Sequence, residues 1–591
     1  MPKSWRFAPH DAAAVRDLSR TLRLPALVAQ VLVARGHTSD SAASTFLQSN
    51  LMALHEPDLM PNLSEAADRI VAAVKSGRRI TIYGDYDVVT ATSILWHCLR
   101  LANATVDYYI PHRIEEGYGL NCDALRQLHE EDPRRLVVTV DCGIASVVEA
   151  ALAKELGLEL IVTDHHEMAA ELPPAACLVH PRLPGSQYPF GQLCGAGVAF
   201  KLAWGICQRL GDGKKASPSM REFLMGAVGL AAIGTVADCV PLVDENRAIV
   251  RYGLGSLVER CSLGMKALLQ VSGLGDKKEL AADDIGFTIG PRINAVGRLG
   301  QARLAVELLT TDNRERALAL ASHFDGLNQQ RQTVERKILK QAKEMIAQNP
   351  AWQESPALVL AHEEWHRGVV GIVASRVAEQ FEKPTIMIAL SREDRLGHGS
   401  GRTFARFDLH AGLSACAQHL KSFGGHQAAA GLKIEADRID AFRSDFCEHF
   451  SRTHEVTASD REVSIDAEVR LADLTHTAVM MLSKLGPFGR ENPKPVFSAA
   501  RCELAEPPKK MGEGERHLSL RLKHFGTVMR AVCFGAGDWA DQIAAVAGPI
   551  SVCFAPTINS YNGYENVELR LIDWRADEPS PSRLAAMGAG R

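Results

Sequence analysis

The chain has 591 residues, 46% of them hydrophobic, and a formal net charge of −4, enough for roughly three or four domains with packed cores. That balance excludes a globally basic, histone-like binder, but it leaves room for a local basic groove that grips nucleic acid. None of the 13 cysteines forms a C-x-x-C pair, which argues against a zinc ribbon or a disulfide framework and for reduced thiols.

Residues 1–60 read as helical. The opening "MPKSWRFAPHDAAAVRDL" lacks the apolar stretch of a secretory signal. From about 60 to 165, β-type runs at 80–83, 106–110, 136–140 and 158–162 alternate with helix-length segments such as 92–101 and 146–156. This alternation predicts a parallel sheet with helices on its faces, an α/β fold. Residues 195–315 read mostly as helix, with "GFTIGPRINAVGRLG" as a Gly-rich break. A helical stretch follows over 301–348, with an expected interruption near Asp325 and Gly326. A second α/β pattern runs from about 355 to 452, with "ALVLAHEEW" and "PTIMIAL" as strands. After the polar "HEVTASDREVS", short β-type runs ("HLSLRLKHF", "VMRAVCFG", "VELRLIDW") suggest a small barrel. The tail at 576–591 reads as disordered. No internal repeat and no G-x-x-x-x-G-K-[ST] phosphate loop is present. The longest weakly polar run, 225–237, falls short of the ~20 residues that span a bilayer. These features predict a cytoplasmic protein with no membrane partner.

Three β-type runs end in an acid. Asp85 follows "ITIYG", Asp141 follows "LVVTV" and Asp164 follows "LELIVT". In an open parallel sheet, ligands bind outside the carboxyl ends of the strands. A single such acid is usually an Asx turn or a helix cap; three at one sheet edge point to a shared site. Asp164 is followed at once by His165 and His166. Carboxylates with imidazole suit Mn²⁺ or Mg²⁺, with imidazole favouring Mn²⁺. Asp238 interrupts the apolar "AIGTVADCVPL"; there a metal or a salt bridge would offset the cost of a buried carboxylate. Such a donor set fits a two-metal hydrolase acting on a phosphodiester.

"GDYD", "VDCG", "TDHHE" and "GTVADCVPL" resemble motifs one to four of the DHH phosphoesterases. More narrowly, "YIPHRIEEGYGL", "LCGAGVAFKL", "GPRINAVGR" and "EWHRGVVGIVASR" resemble the bacterial RecJ single-strand DNA exonucleases. "SGRTFARFDLHAGL" and "GGHQAAAG" resemble their DHH-associated domain, and "LGPFGRENPKPVF" the start of their OB-fold domain. The resemblance implies an N-terminal helical segment (1–60), a DHH catalytic domain (61–300), a connecting helix (301–350), a DHH-associated substrate-binding domain (351–455) and an OB-fold barrel (460–575). It also implies 5′→3′ degradation of single-stranded DNA with Mn²⁺ or Mg²⁺, in recombination and repair. Recombination proteins and single-strand-binding proteins are the partners it suggests. By the same resemblance, Asp87, Asp141, His165 and Asp238 would be metal ligands. Asp85 would support the site and His166 would face the scissile phosphate. Arg292, Arg298, Arg402 and His426 would grip the DNA backbone.

Each basic residue also has a bland reading. Arg292 and Arg298 could neutralise nearby acids, Arg402 could be a solvated charge, and His426 could mark tight backbone packing. In the barrel, Tyr561, Tyr564 and Phe525 are base-stacking candidates.

The first motif departs from the family pattern. The family's stretch resembles G-D-Y-D-V-D-G-V-T-A-T-S, whereas this chain has "GDYDVVTATS", as if Asp-Gly were absent between Val88 and Val89. The resemblance makes that Asp a metal ligand, so weakened catalysis is expected. Two alternatives follow: a non-catalytic single-strand DNA-binding protein of the same architecture, or a DHH phosphoesterase for short oligonucleotides.

Overall fold

Ile80–Gly84, Leu136–Val140 and Glu159–Thr163 are the centre of a five-stranded, wholly parallel sheet. Val106–Tyr109 closes one edge of it and Cys177–Val179 the other. The central strands are buried on both faces, which explains their continuous apolar character. The computed structural model describes residues 3–85, 89–112, 116, 119–213, 215–298, 300–455, 457–561 and 564–577. They divide into two compact units, Asn50–Asp460 and Met1–Ser49 with Arg461–Arg591.

In the first unit the chain moves outward from Ile80–Gly84 to Val106–Tyr109, then crosses back to Leu136–Val140 on the other side. The crossing point is a topological switch, where a crevice opens at the strand carboxyl ends. Helix Gly195–Leu210 packs on this sheet, Pro218–Ala237 packs on that helix and on Val89–Leu101, and Asp244–Glu259 packs on Pro218–Ala237. Pro218–Ala237 is the one helix, among the described residues, long and apolar enough to cross a membrane. The sequence reading underestimated it by counting only its second half. Its Ala227–Gly229 and Ala231–Thr235 stretches are buried in the core.

The helix Arg314–Gln348 runs unbroken for 35 residues. The expected interruption at Asp325–Gly326 is absent; the break lies earlier, between Ala302–Thr310 and Asn313, whose side chain caps the long helix. One interior Gly costs a helix only about 1 kcal/mol, and the Asp325 carboxylate is held by Arg292 at 2.8 Å. A second sheet follows in the spatial order Leu420–Gly425, Ala429–Glu435, Leu396–Arg402, Thr385–Leu390, Leu358–His362. Only its last pair is parallel.

The second unit holds the seven-stranded C-terminal sheet, which closes through the antiparallel pairing of Phe497–Leu504 with His517–His524. Residues 1–49 belong to this unit. Ser4–Phe7, a strand absent from the sequence reading, pairs in parallel with Glu462–Ile465. Val28, Leu32 and Leu18 share one core with Phe497 and Phe554. The last strand runs to Ala576, and the Asp577 carboxylate accepts from the Arg501 amide at 3.0 Å and the Ser551 hydroxyl at 2.6 Å. The tail expected to be disordered lies outside the described residues from 578 onward.

Candidate metal centre and nucleic-acid site

Asp85, Asp141 and Asp164 each stand directly after one of three adjacent parallel strands. Asp85 is fully buried. Asp141 is nearly so, and its backbone takes the left-handed conformation, φ 64°. Asp87 falls in residues 86–88, outside the described residues.

His165 Nε2 lies 3.1 Å from Asp141 Oδ1 and 3.5 Å from Asp238 Oδ2. Donor atoms of Asp141, His165 and His166 all lie within 4.8 Å of one another. Burial pushes the Asp141 carboxyl upward, though the facing His165 opposes the shift. Burial works against a charged His165, but Asp141 and Asp238 outweigh it and raise its pKa.

Asp238 corrects one expectation. It is not buried inside an apolar segment; it caps the C-terminus of Pro218–Ala237, with its side chain 33% exposed. A carboxylate at the negative end of a helix dipole is unfavourable without a nearby cation. Three features therefore favour a cation here: a buried carboxylate, an imidazole between two acids, and an acid at a helix C-terminus. Oxygen and nitrogen donors of this kind suit Mn²⁺ or Mg²⁺.

Asp164 has a different task from Asp141. Its carboxylate accepts from the backbone N–H groups of Ile144 (3.0 Å), His165 (2.7 Å) and His166 (3.2 Å), and from His166 Nδ1 at 2.7 Å. Burial opposes charge on His166, but the Asp164 hydrogen bond and the surrounding acids win, raising its pKa to about 9. Asp164 thus orients the ring and favours its charged form. Sequence reasoning missed the next member. His180, fully buried, accepts from the Arg182 amide at Nδ1, so its Nε2–H donates to the His166 carbonyl at 2.9 Å. His180 follows the short strand Cys177–Val179, and three residues are too few to show a period.

Gly195, the first residue of the helix Gly195–Leu210, was also missed. A Cβ placed there would meet Asp141 Oδ1 at 1.8 Å. Only Gly allows this close approach.

Asp141, His166 and Asp238 line a cavity of about 220 Å³ together with Asn294 and Arg298. Arg298 Nη1 also donates to the Gly368 carbonyl at 3.2 Å. Arg292 is not among the described residues that line this cavity, and its Nε donates to Asp325 Oδ1 at 2.9 Å. Arg402 ends the strand Leu396–Arg402 and donates to Ser400 Oγ at 3.0 Å and the Gly401 carbonyl at 2.7 Å. Beside it begins the helix Val370–Phe381: a Cβ on Gly371 would stand 2.8 Å from Ser400 Oγ and 3.2 Å from Arg402 Nη2. Amide groups and an arginine converging at a helix N-terminus suit a phosphate. His426 is exposed in the tight turn after Gly425 (φ 135°). In the barrel, Phe525 and Tyr564 are exposed, and the Tyr561 side chain lies outside the described residues. The sequence reading did not single out Phe534, which is exposed with Arg570 stacked 4.7 Å over its ring.

Residues 79–234 match the DHH family N-terminal domain, 354–452 the DHHA1 domain and 465–573 the RecJ OB domain. The single-stranded-DNA-specific exonuclease RecJ of Bacillus subtilis is 38% identical over 97% of this chain and 71% of its own length. The chain belongs to the RecJ family. The Escherichia coli RecJ is 31% identical over 94% of this chain and 97% of its own length. The crystal structure of Thermus thermophilus RecJ in complex with Mn²⁺ superposes with a TM-score of 0.82, at 31% identity over 98% of this chain and 80% of that one. The Mg²⁺ complex of the same RecJ gives 0.76, at 29% identity over 98% and 79%. The three matched domains agree with the α/β plan of catalytic sheet, DHH-associated domain and OB barrel read from the sequence.

Proposed function

We propose that this chain is a metal-dependent exonuclease that hydrolyses phosphodiester bonds of single-stranded DNA from the 5′ end, in recombination and repair. The observation that carries this reading is the convergence of Asp141 and Asp238 on His165, beside a cavity that Asp141, Asp238 and His166 line, in a chain of the RecJ family. Asp141, His165 and Asp238 would hold Mn²⁺ or Mg²⁺, and so would Asp87. Bound there, the ions would activate a water and stabilise the leaving oxygen.

The remaining residues bind and orient the strand. His166, oriented by Asp164, faces the scissile phosphate. Arg298 neutralises phosphate charge in the same cavity. Arg402 and the first amides of Val370–Phe381 hold a neighbouring phosphate, with His426 at the turn beside them. Asp85 supports the strand end, and Arg292 braces the long helix through Asp325. The OB barrel binds single-stranded DNA on its exposed aromatics. The workplace of such an enzyme is the cytoplasm, with recombination and single-strand-binding proteins as partners.

The test is digestion of single-stranded and duplex oligonucleotides, labelled at either end, in Mn²⁺ and in EDTA. Mn²⁺-dependent release of the 5′ label from the single strand alone is the expected result. Equal cleavage of duplex, or release from the 3′ end, would overturn the reading.

A further inference from the structure

Within Asn50–Asp460, Phe287 is the one exposed aromatic among the described residues, with 81% of its surface in solvent. It occupies a special piece of backbone. Ile285–Ile289 is π-helical, closed by the Gly290 amide on the Ile285 carbonyl. Single π turns inside helices are rare and concentrate at functional sites. Ile285 and Ile289 are buried and anchor the turn, so Phe287 is the residue it projects outward.

The turn is clamped against the site. A Cβ on Gly286 would stand 3.7 Å from Val236, and one on Gly290 4.0 Å from Ala237, the two residues before Asp238. The next helix, Gly290–Arg298, continues directly and lines the cavity with Gly290, Asn294 and Arg298. Phe287 thus stands three residues, less than one helical turn, before Gly290 of the cavity wall. Leaving a Phe ring in water forfeits its burial energy. A nucleobase offers a flat partner of matching size, and stacking on an aromatic ring is indifferent to sequence.

We infer that Phe287 is a base-stacking residue that holds a nucleobase of the single strand beside the scissile phosphate. This rests on the exonuclease reading above. The phosphate grips fix the backbone; the ring fixes the plane of one base and thereby the advance of the strand.

The experiment measures anisotropy of a fluorescent 20-nucleotide oligo(dT) in EDTA with the full-length protein, so that binding is read without turnover. Phe287→Ala and Phe287→Leu are expected to weaken binding roughly 5- to 100-fold, and Phe287→Trp to retain it. The slope of log Kd against log salt should stay that of the wild type, because stacking releases no counterions. Oligonucleotides carrying one abasic nucleotide at successive positions supply the second arm. One position should weaken the wild type by a similar factor and leave Phe287→Ala unaffected. Wild-type affinity in Phe287→Leu, or the same abasic penalties in both proteins, would overturn the stacking role alone. A wild type that does not bind oligo(dT) at all would overturn the exonuclease reading and this inference with it.

Discussion

Asp141 combines three costs in one residue: a left-handed backbone (φ 64°), near-complete burial, and a carboxyl that burial pushes toward its neutral form. Backbone strain of this kind costs about 1–3 kcal/mol and persists where the surroundings impose it for function. Asn tolerates the left-handed region as well as Asp does and carries no charge to desolvate. Asp141→Asn should therefore melt no lower than the parent while losing well over 100-fold in Mn²⁺-dependent hydrolysis, measured by thermal denaturation and single-turnover digestion. A second prediction concerns the first motif. The strand ends at Gly84 and the next helix starts at Val89, so only residues 85–88 join them. Disturbing a mere outer-shell partner of a metal costs about 10–100-fold, and loss of a direct ligand should cost at least that. Inserting Asp-Gly between Val88 and Val89 should raise the digestion rate by that factor or more. Equal rates in both chains would show that the shorter turn is fully competent.

At the level of elements, the site is made by ends rather than by faces. The helix Gly195–Leu210 places its first residue against the Asp141 carboxylate, and Pro218–Ala237 carries Asp238 as its C-terminal cap. Gly195→Ala puts a methyl where Asp141 Oδ1 stands, so the carboxylate must move by about 1 Å or more. Misplacement of that size costs ~10²-fold in rate, with little change in oligonucleotide affinity in EDTA. Arg402→Ala should do the reverse: it should weaken binding and lower the salt slope by about 0.7 log–log units, one single-strand phosphate's worth. These element ends explain what was legible. Acids after β-type runs mark strand carboxyl ends, and the parallel sheet converts that pattern into a cluster. His180 and Gly195 were illegible because their importance lies in one contact across the fold, the His166 carbonyl and the Asp141 carboxylate. Asp238 was misjudged because an apolar run reports a buried helix but not where that helix ends.

At the scale of the molecule, the N-terminal segment finds its partners in the C-terminal unit, more than 450 residues along the chain. Ser4–Phe7 pairs with Glu462–Ile465, and Trp5 Nε1 donates to Asp573 Oδ2 at 2.7 Å while the Arg575 guanidinium lies 4.2 Å over its ring. No local sequence pattern reports such a pairing, since a four-residue strand carries almost no periodicity. The hydrogen bond to a carboxylate and the cation–π contact are together worth about 2–3 kcal/mol. Trp5→Ala should lower the stability of the C-terminal unit by that amount and leave Asn50–Asp460, which has its own core, unchanged. Hydrogen exchange followed by peptide mass spectrometry reads this directly. Protection should fall over residues 4–47 and in the barrel strands Phe497–Leu504 and Ile550–Tyr561, and stay at parent values over Ile80–Gly84 and Leu136–Val140. Loss of protection in the catalytic strands would mean that the two units unfold as one. Unchanged protection in the barrel would mean that the N-terminal strand adds nothing to it.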